Sequence, residues 1–248
     1  MRKKLLYIFF AGLIFLLNAN AFSQKQKPKN DSWYDDKRLH FGFSLGLNLM
    51  DFNINPTKKL LDSDPAKYLL PEVSILNPGI NIQIVTNLHL AKYFDLRFLP
   101  GVSFGQRNIR FYEEDAATGK FFSTYNEKQR VESSFLEFPL LLKYKGMRLN
   151  NVRPYVIGGI NYRYDLAGKK EYDEEKQIWL RLRRSDLYYE AGAGLDFYLR
   201  YFKLSVELKM SNGIRDVLVH EPAGGHGEFV NAIDRMHSQI WVLSFHFE

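Results

Sequence analysis

The sequence contains no cysteine. Disulfides and thiolate metal sites are excluded, and so is a lipoprotein signal, whose lipid needs a cysteine side chain. A chain that crosses an oxidising compartment without cysteine has nothing to mispair there. An apolar run long enough for a spanning helix is also missing at the N-terminus: Leu5–Leu17 covers 13 residues, against the roughly 18–20 that cross a bilayer. No basic cluster stands out either. The formal charge is +6, but Arg2, Lys3 and Lys4 supply three of those charges and 28 acidic residues are spread among the bases. That distribution argues against a nucleic-acid partner.

What is present begins as an address. Arg2-Lys3-Lys4 precedes the apolar run, and Ala19-Asn20-Ala21 follows with the small residues that signal peptidase reads. This pattern predicts a cleaved signal peptide over residues 1–23, cut after Ala21 or Ser23, and a mature charge of about +3. Residues 24–38 are polar and aperiodic, which predicts a flexible periplasmic lead-in.

From residue 39 onward the period is two. Leu39, Phe41, Phe43, Leu45, Leu47 and Leu49 alternate with His40, Gly42, Ser44, Gly46 and Asn48. Successive strand side chains point to opposite faces, so this segment has one oily face and one small, polar face. A helix would spread both classes around its circumference. The alternation returns in seven further segments, near residues 80–90, 94–105, 133–144, 154–164, 187–197, 203–210 and 238–247. In the last, Trp241, Leu243, Phe245 and Phe247 share a face. Phe135 and Leu141 blur the contrast in the fourth segment, as Ile240 and Val242 do in the eighth.

Connections alternate in length. Residues 53–72, 108–130, 166–186 and 212–236 read as long loops, and Lys92-Tyr93, 145–153 and Arg200-Tyr201-Phe202 as short turns. Outer-membrane barrels have short periplasmic turns and long external loops. The expected fold is all-β: a membrane-spanning antiparallel up-and-down β-barrel of about eight strands over residues 39–248, in the outer membrane. Aromatic residues make up 15%, with 20 Phe and 15 Tyr, which suits a lipid-facing surface with interfacial rings. A mean hydropathy of −0.30 is no objection, because a barrel strand is apolar only at alternate positions. Leu39, Phe41, Phe43, Leu45, Leu47, Leu49, Leu243, Phe245 and Phe247 are assigned to the lipid face. Arg97, Glu137, Arg163, Glu190, Asp196, Glu207 and Lys209 are expected to pair with one another inside a lumen filled by side chains. Aromatics at strand ends, namely Tyr93, Tyr144, Tyr164, Tyr198 and Tyr201, are assigned to the interface belts.

Candidate chemical sites are weak. His220, Glu221, His226, Glu228, Asp234 and His237 crowd one stretch, but their spacing fits no zinc motif, and a solvated loop with a helical turn or two over Phe229–Met236 is expected. Gly224-Gly225-His226-Gly227 lacks the strand-to-helix frame and lysine of a phosphate loop. His237 and Ser238 are strand neighbours on opposite faces and cannot form a catalytic pair. Ser244 and His246 share a face without further support. No enzyme activity, cofactor, metal or small-molecule substrate is expected. The charged run Lys169–Lys176 reads as a solvated hairpin tip; its mixed charge, or Arg181, Arg183 and Arg184, could meet a partner or a lipopolysaccharide phosphate.

Four segments carry a family resemblance. HFGFSLGLNLMDF (His40–Phe52), FLEFPLLLKYKG (Phe135–Gly146), RPYVIGGINYRYDL (Arg153–Leu166) and AIDRMHSQIWVLSFHFE (Ala232–Glu248) resemble the PorT family of outer-membrane barrels of the type IX, or Por, secretion system. The resemblance implies a non-enzymatic part in protein export and gliding motility, with outer-membrane lipid and other secretion-system proteins as partners. It implies no catalytic residues. A small passive porin and a lipid-A-modifying barrel enzyme are the alternatives.

Overall fold

The computed structural model describes residues 29–30, 34, 37–57, 59–60, 67–115, 121–167, 180–220 and 227–248. The expected signal peptide, the run Lys169–Lys176, and Glu221 and His226 lie outside the described residues.

Among the described residues ten strand segments follow in order: β1 (Leu39–Pro56), β2 (Lys67–Leu76), β3 (Pro78–Ala91), β4 (Phe94–Phe98), β5 (Gly101–Asp115), β6 (Phe121–Lys145), β7 (Val152–Asp165), β8 (Ser185–Tyr198), β9 (Lys203–Gly213) and β10 (Ile233–Phe247). A short helix, α1 (Gly227–Asn231), precedes β10. Two segment boundaries are local interruptions in a continuous stave. β2 and β3 part at Asn77, just before Pro78. β4 and β5 part at Leu99-Pro100, where proline has no N–H to give the ladder. Pairing nevertheless runs on through that gap, since Leu99 N–H donates to the Pro139 carbonyl at 3.1 Å and the Pro100 carbonyl accepts from Ile84 N–H at 2.9 Å. The ten segments are therefore eight staves, all paired antiparallel.

The sheet closes on itself. β1 pairs with β10 on one side, Phe43 opposite Phe247, and with β3 on the other, Leu47 opposite Ile80. Closure removes the exposed backbone edge that an open sheet would carry, a requirement in hydrocarbon, where no water can satisfy it.

The loops differ from expectation in several places; residues 233–236, expected in a helical turn, already pair with β1 as part of β10, and the helix ends at Asn231. Of residues 53–72, 53–56 continue β1 and 67–72 already belong to β2; of residues 108–130, 108–115 belong to β5 and 121–130 to β6. β5 and β6 form a long ribbon in which Arg107 opposes Val131 and Glu114 opposes Phe121, and β2 lies against β5. β6 runs for 25 residues, about 80 Å at roughly 3.3 Å per residue, far beyond an apolar band about 25 Å tall. The ribbon thus extends past the barrel wall at its long-loop end. Outside the apolar band the outward face meets water, so the oily-polar contrast that marks a strand in the sequence fades there while backbone pairing continues.

Burial is inverted relative to a soluble protein. Phe41, Phe43, Leu47, Ile80, Ile84, Val156 and Leu208 are exposed, while Ser44, Asn48, Arg97, Glu137, Asn161 and Glu207 are buried. Small residues make room inside. A Cβ on Gly194 would lie 2.5 Å from the Tyr155 ring, and one on Gly105 would lie 2.5 Å from Met50 Sδ. Bare backbone at these two places lets large side chains from other staves reach across the lumen.

Candidate functional site: the barrel interior

The seven charged residues singled out in the sequence all face inward and are buried. They fall into two clusters. In the lower one, toward the short turns, Arg97 Nη1 donates to Glu207 Oε2 at 3.2 Å and Nη2 donates to Glu248 Oε1 at 2.9 Å. Lys143 Nζ donates to both oxygens of Asp196 at 2.8 Å, and Ser205 Oγ donates to Oδ1 at 2.6 Å. Tyr155 joins these groups: its hydroxyl donates to Glu207 Oε2 at 2.9 Å and its ring lies 3.7 Å beneath the Lys143 ammonium. His246 Nε2 sits 3.4 Å from the same Glu207 oxygen but is not aligned as a hydrogen bond.

The upper cluster centres on two carboxylates. Glu137 accepts from Ser103 Oγ at 2.7 Å and Gln83 Nε2 at 2.8 Å, with Arg163 Nε at 2.9 Å. Glu190 accepts from Arg163 Nη2 at 3.1 Å, Asn161 Nδ2 at 2.9 Å and Ser211 Oγ at 2.8 Å, with Lys209 Nζ at 2.8 Å from its other oxygen. Arg163 thus bridges the two acids. Such pairing is what a buried charge needs, because an uncompensated one is expensive to desolvate.

Apolar layers separate the charged ones. Val85, Leu99, Leu141, Tyr155 and Ile157 form one. Met50, Phe135, Tyr188, Ile240 and Val242 form another. The residues that blurred the alternation, Phe135, Leu141, Ile240 and Val242, are therefore interior packing. A third cluster closes the long-loop end, where Phe111 and Phe229 of α1 meet edge to face at 4.9 Å over Ile109, Leu218 and Met236.

The nine residues assigned outward lie on the opposite face from these clusters. Leu39, Phe41, Phe43, Leu45, Leu47, Leu49 and Leu243 are exposed, and Phe245 and Phe247 are half-buried. Phe247 is covered because its ring stacks on Phe43, 4.9 Å between centroids, and Phe202 packs beside it. Tyr93, Tyr144 and Tyr201 are exposed. Tyr198 departs from its belt assignment: it is buried, with the Arg148 guanidinium 3.6 Å over its ring. The reason is its parity, shared with Glu190 and Asp196 on the inner face of β8.

The short-turn end holds groups that the sequence did not single out. Lys203 Nζ donates to Glu248 Oε2 at 3.0 Å and to the Tyr34 hydroxyl at 2.7 Å, and Tyr34 in turn donates to Glu248 at 2.7 Å. The Tyr34 ring stacks on His40 at 3.8 Å. Asn30 donates through its backbone N–H to Asn151 Oδ1 at 2.9 Å. The lead-in expected to be flexible is thus tied to the barrel mouth at Asn30 and Tyr34. No polar lead-in announces a single docked tyrosine, so the sequence carried no signal for it.

Toward the other end, Ser238 Oγ accepts from Arg107 Nη1 at 2.9 Å, and His237 lies on the opposite face. His220 Nε2 pairs with Asp216 Oδ2 at 2.9 Å. Among the described residues no three potential metal ligands come together.

A closed antiparallel barrel with a polar, ion-paired interior and an apolar exterior defines the transmembrane β-barrel class. The chain belongs to the outer membrane protein beta-barrel domain family, whose sequence profile matches residues 22–219, and it is an outer-membrane protein. No curated protein matches it significantly. Among solved structures it is similar to the outer membrane protein OprG from Pseudomonas aeruginosa, at 12% identity and a TM-score of 0.45, over 85% of this chain and 94% of that one. It is also similar to Ail, the attachment invasion locus protein of Yersinia pestis, solved with the heparin analogue sucrose octasulfate, at 14% identity and a TM-score of 0.36, over 85% of this chain and 98% of that one.

Proposed function

We propose that this protein is a non-enzymatic scaffold or assembly component for protein export by the type IX secretion system, supporting gliding motility or surface-protein export. The observation that carries the scaffold reading is the filled interior: Arg97, Lys143, Asp196, Glu207 and Glu248 occupy one level of the lumen and Glu137, Arg163, Glu190 and Lys209 the next. A lumen packed in this way offers no path for a folded cargo. The contribution to export is then made by contacts with partner proteins, on the external loops or on the outward face. The resemblance of His40–Phe52 and Ala232–Glu248 to the PorT family supports the choice of export machine. Leu39, Phe41, Phe43, Leu45, Leu47, Leu49, Leu243, Phe245 and Phe247 serve as lipid face, and the paired interior keeps the barrel rigid.

The test is deletion of the gene in its own host. Loss of type IX cargo from the cell surface and medium, with loss of gliding, is the expected result. Unchanged secretion and normal gliding overturn the reading. A passive porin is the second reading, and the paired charges at two levels weigh against it. A lipid-modifying enzyme is disfavoured by Ser238, whose hydroxyl is held by Arg107 and not by a histidine.

A further inference from the structure

The three short turns share a composition. Residues 90–94, 145–153 and 199–202 contain Lys92, Lys145, Arg148, Arg153 and Arg200 and no acidic residue. Two of them place a cation directly before a tyrosine, Lys92-Tyr93 and Arg200-Tyr201. The Lys92 ammonium lies 5.3 Å from the centre of the Tyr93 ring. Leu199 N–H donates to the Phe202 carbonyl at 3.0 Å, which leaves Arg200 and Tyr201 at the apex of their turn. In the third turn the N–H groups of Leu149 and Val152 donate to each other's carbonyls at 2.8 and 3.0 Å, and Asn150 at the apex takes the left-handed region with φ 54°. Arg148 braces that turn, its Nε donating to the Asn150 carbonyl at 3.0 Å.

The strand acids nearest this rim are already matched: the side chains of Asp95, Asp196 and Glu248 are buried against Lys145, Lys143 and Lys203. Lys92 and Arg200 are exposed, as are Lys37 and Arg38 where the lead-in meets β1. Residues 24–38 add Asp31, Asp35 and Asp36 against five cations, so the rim stays positive. The long-loop end differs, with exposed Arg183, Arg215 and Arg235 standing among exposed Glu72, Glu132 and Asp234. Apolar side chains stand between the rim cations. Met147, Leu149 and Tyr201 are 73%, 69% and 87% exposed, more open than the lipid-facing Leu45 at 46%. In water such exposure is unfavourable. The rim is also continuous with the lipid face, since Tyr93 packs beside Tyr144 at 6.5 Å and Phe202 beside Phe247 at 6.0 Å.

We infer that this rim binds the headgroups of anionic phospholipid in the periplasmic leaflet. The exposed rings and aliphatic side chains enter the interface, and Lys92, Arg200, Lys37 and Arg38 extend past them to the phosphates. Each cation held near an anionic surface adds attraction, and salt screens it. An acidic protein would answer the cations alone; a lipid answers the cations and the apolar side chains between them. The inference rests on the placement of the barrel in the outer membrane and stands apart from the export reading.

Electron paramagnetic resonance tests it. Spin-labelled phosphatidylglycerol or phosphatidylcholine is added as a trace to the purified protein in phosphatidylcholine bilayers, and the motionally restricted fraction gives the relative affinity for the two headgroups. A preference of about threefold or more for phosphatidylglycerol is expected at low ionic strength. It should fall toward parity in about 1 M salt, where the Debye length is about 3 Å. Lys92→Gln with Arg200→Gln should remove at least about half of the preference, whereas Arg183→Gln with Arg215→Gln, at the long-loop end, should retain it. Equal affinity of the wild type for the two lipids overturns the inference and leaves the rim to an acidic partner protein. A preference unaltered by Lys92→Gln with Arg200→Gln, or abolished by the long-loop pair instead, also overturns it. Heat-modifiable gel mobility reports whether each variant is folded. Should the double rim variant not fold, the two single rim variants decide, and an unaltered preference in both overturns the site.

Discussion

Lys143 donates to both carboxylate oxygens of Asp196 at 2.8 Å, and neither side chain reaches solvent. The pair spans β6 and β8 with β7 between them, so it ties together staves that are not neighbours in the sheet. Removing one partner leaves the other as a buried, uncompensated charge. Lys143→Met is expected to lower the stability of the folded barrel by about 3–5 kcal/mol, and Lys143→Met with Asp196→Leu to recover most of that loss. Urea titration of the refolded protein in detergent measures both. Additive losses in the double variant would show that the two residues do not act as a pair.

The outward face carries the opposite demand. Leu45 lies midway along the apolar row of β1 and is 46% exposed. In lipid, Leu45→Arg is expected to cost about 2–4 kcal/mol, the price of a cation near the bilayer midplane. Asn53→Arg, on the same strand but beyond the apolar row, should cost less than about 1 kcal/mol. Folding titrations in phospholipid vesicles distinguish them, and equal costs at the two sites would contradict a lipid-facing β1.

Tyr34 ties the lead-in to the mouth through Glu248 and Lys203. Tyr34→Ala is expected to release that segment while leaving the barrel folded. Limited trypsin digestion should then cut faster after Lys37 and Arg38, with no change in heat-modifiable mobility. Identical cleavage rates would mean that the tyrosine does not anchor the segment.

An external turn provides a pH handle. Burial alone would raise the Asp216 carboxyl, but His220 and the backbone N–H groups of Met236 and Leu218 outweigh it and hold it below its ordinary value of 3.8. A carboxyl lowered in the folded state adds stability that is present above its unfolded value and fades as pH falls through the folded one. Hydrogen exchange at the Leu218 and Met236 amides should therefore lose protection as pH drops below about 3.8, relative to neighbouring amides. Asp216→Asn should remove that pH dependence. Unaltered relative protection across the range would contradict it.

The barrel was legible because lipid and lumen impose opposite demands at alternate positions. Leu39–Leu49 shows this most clearly, with an oily outer row and an inner row of Gly, Ser and Asn. The charged interior followed from the same parity, since Arg97, Glu137 and Glu190 all fall on the inner rows. Arg107 was legible in principle: it continues the row Ser103, Gly105, but the alternation in hydropathy ends at Gly105, two residues short of it, where charge begins to look like loop. The β5–β6 ribbon was hidden for a related reason, as alternation in hydropathy marks only the part of a strand bathed in lipid. Tyr198 was misassigned by its place at a strand end, although its parity with Asp196 already pointed inward. Which lysine meets which carboxylate depends on stagger between staves, and no single strand's sequence encodes that.

Planar-bilayer conductance of the purified wild-type protein tests the central claim, a barrel filled by its own side chains, most directly. The paired interior predicts a flat baseline with no steady unitary steps at voltages that leave the bilayer intact. Stable, reproducible open channels would show a continuous aqueous path through the lumen and would contradict the account.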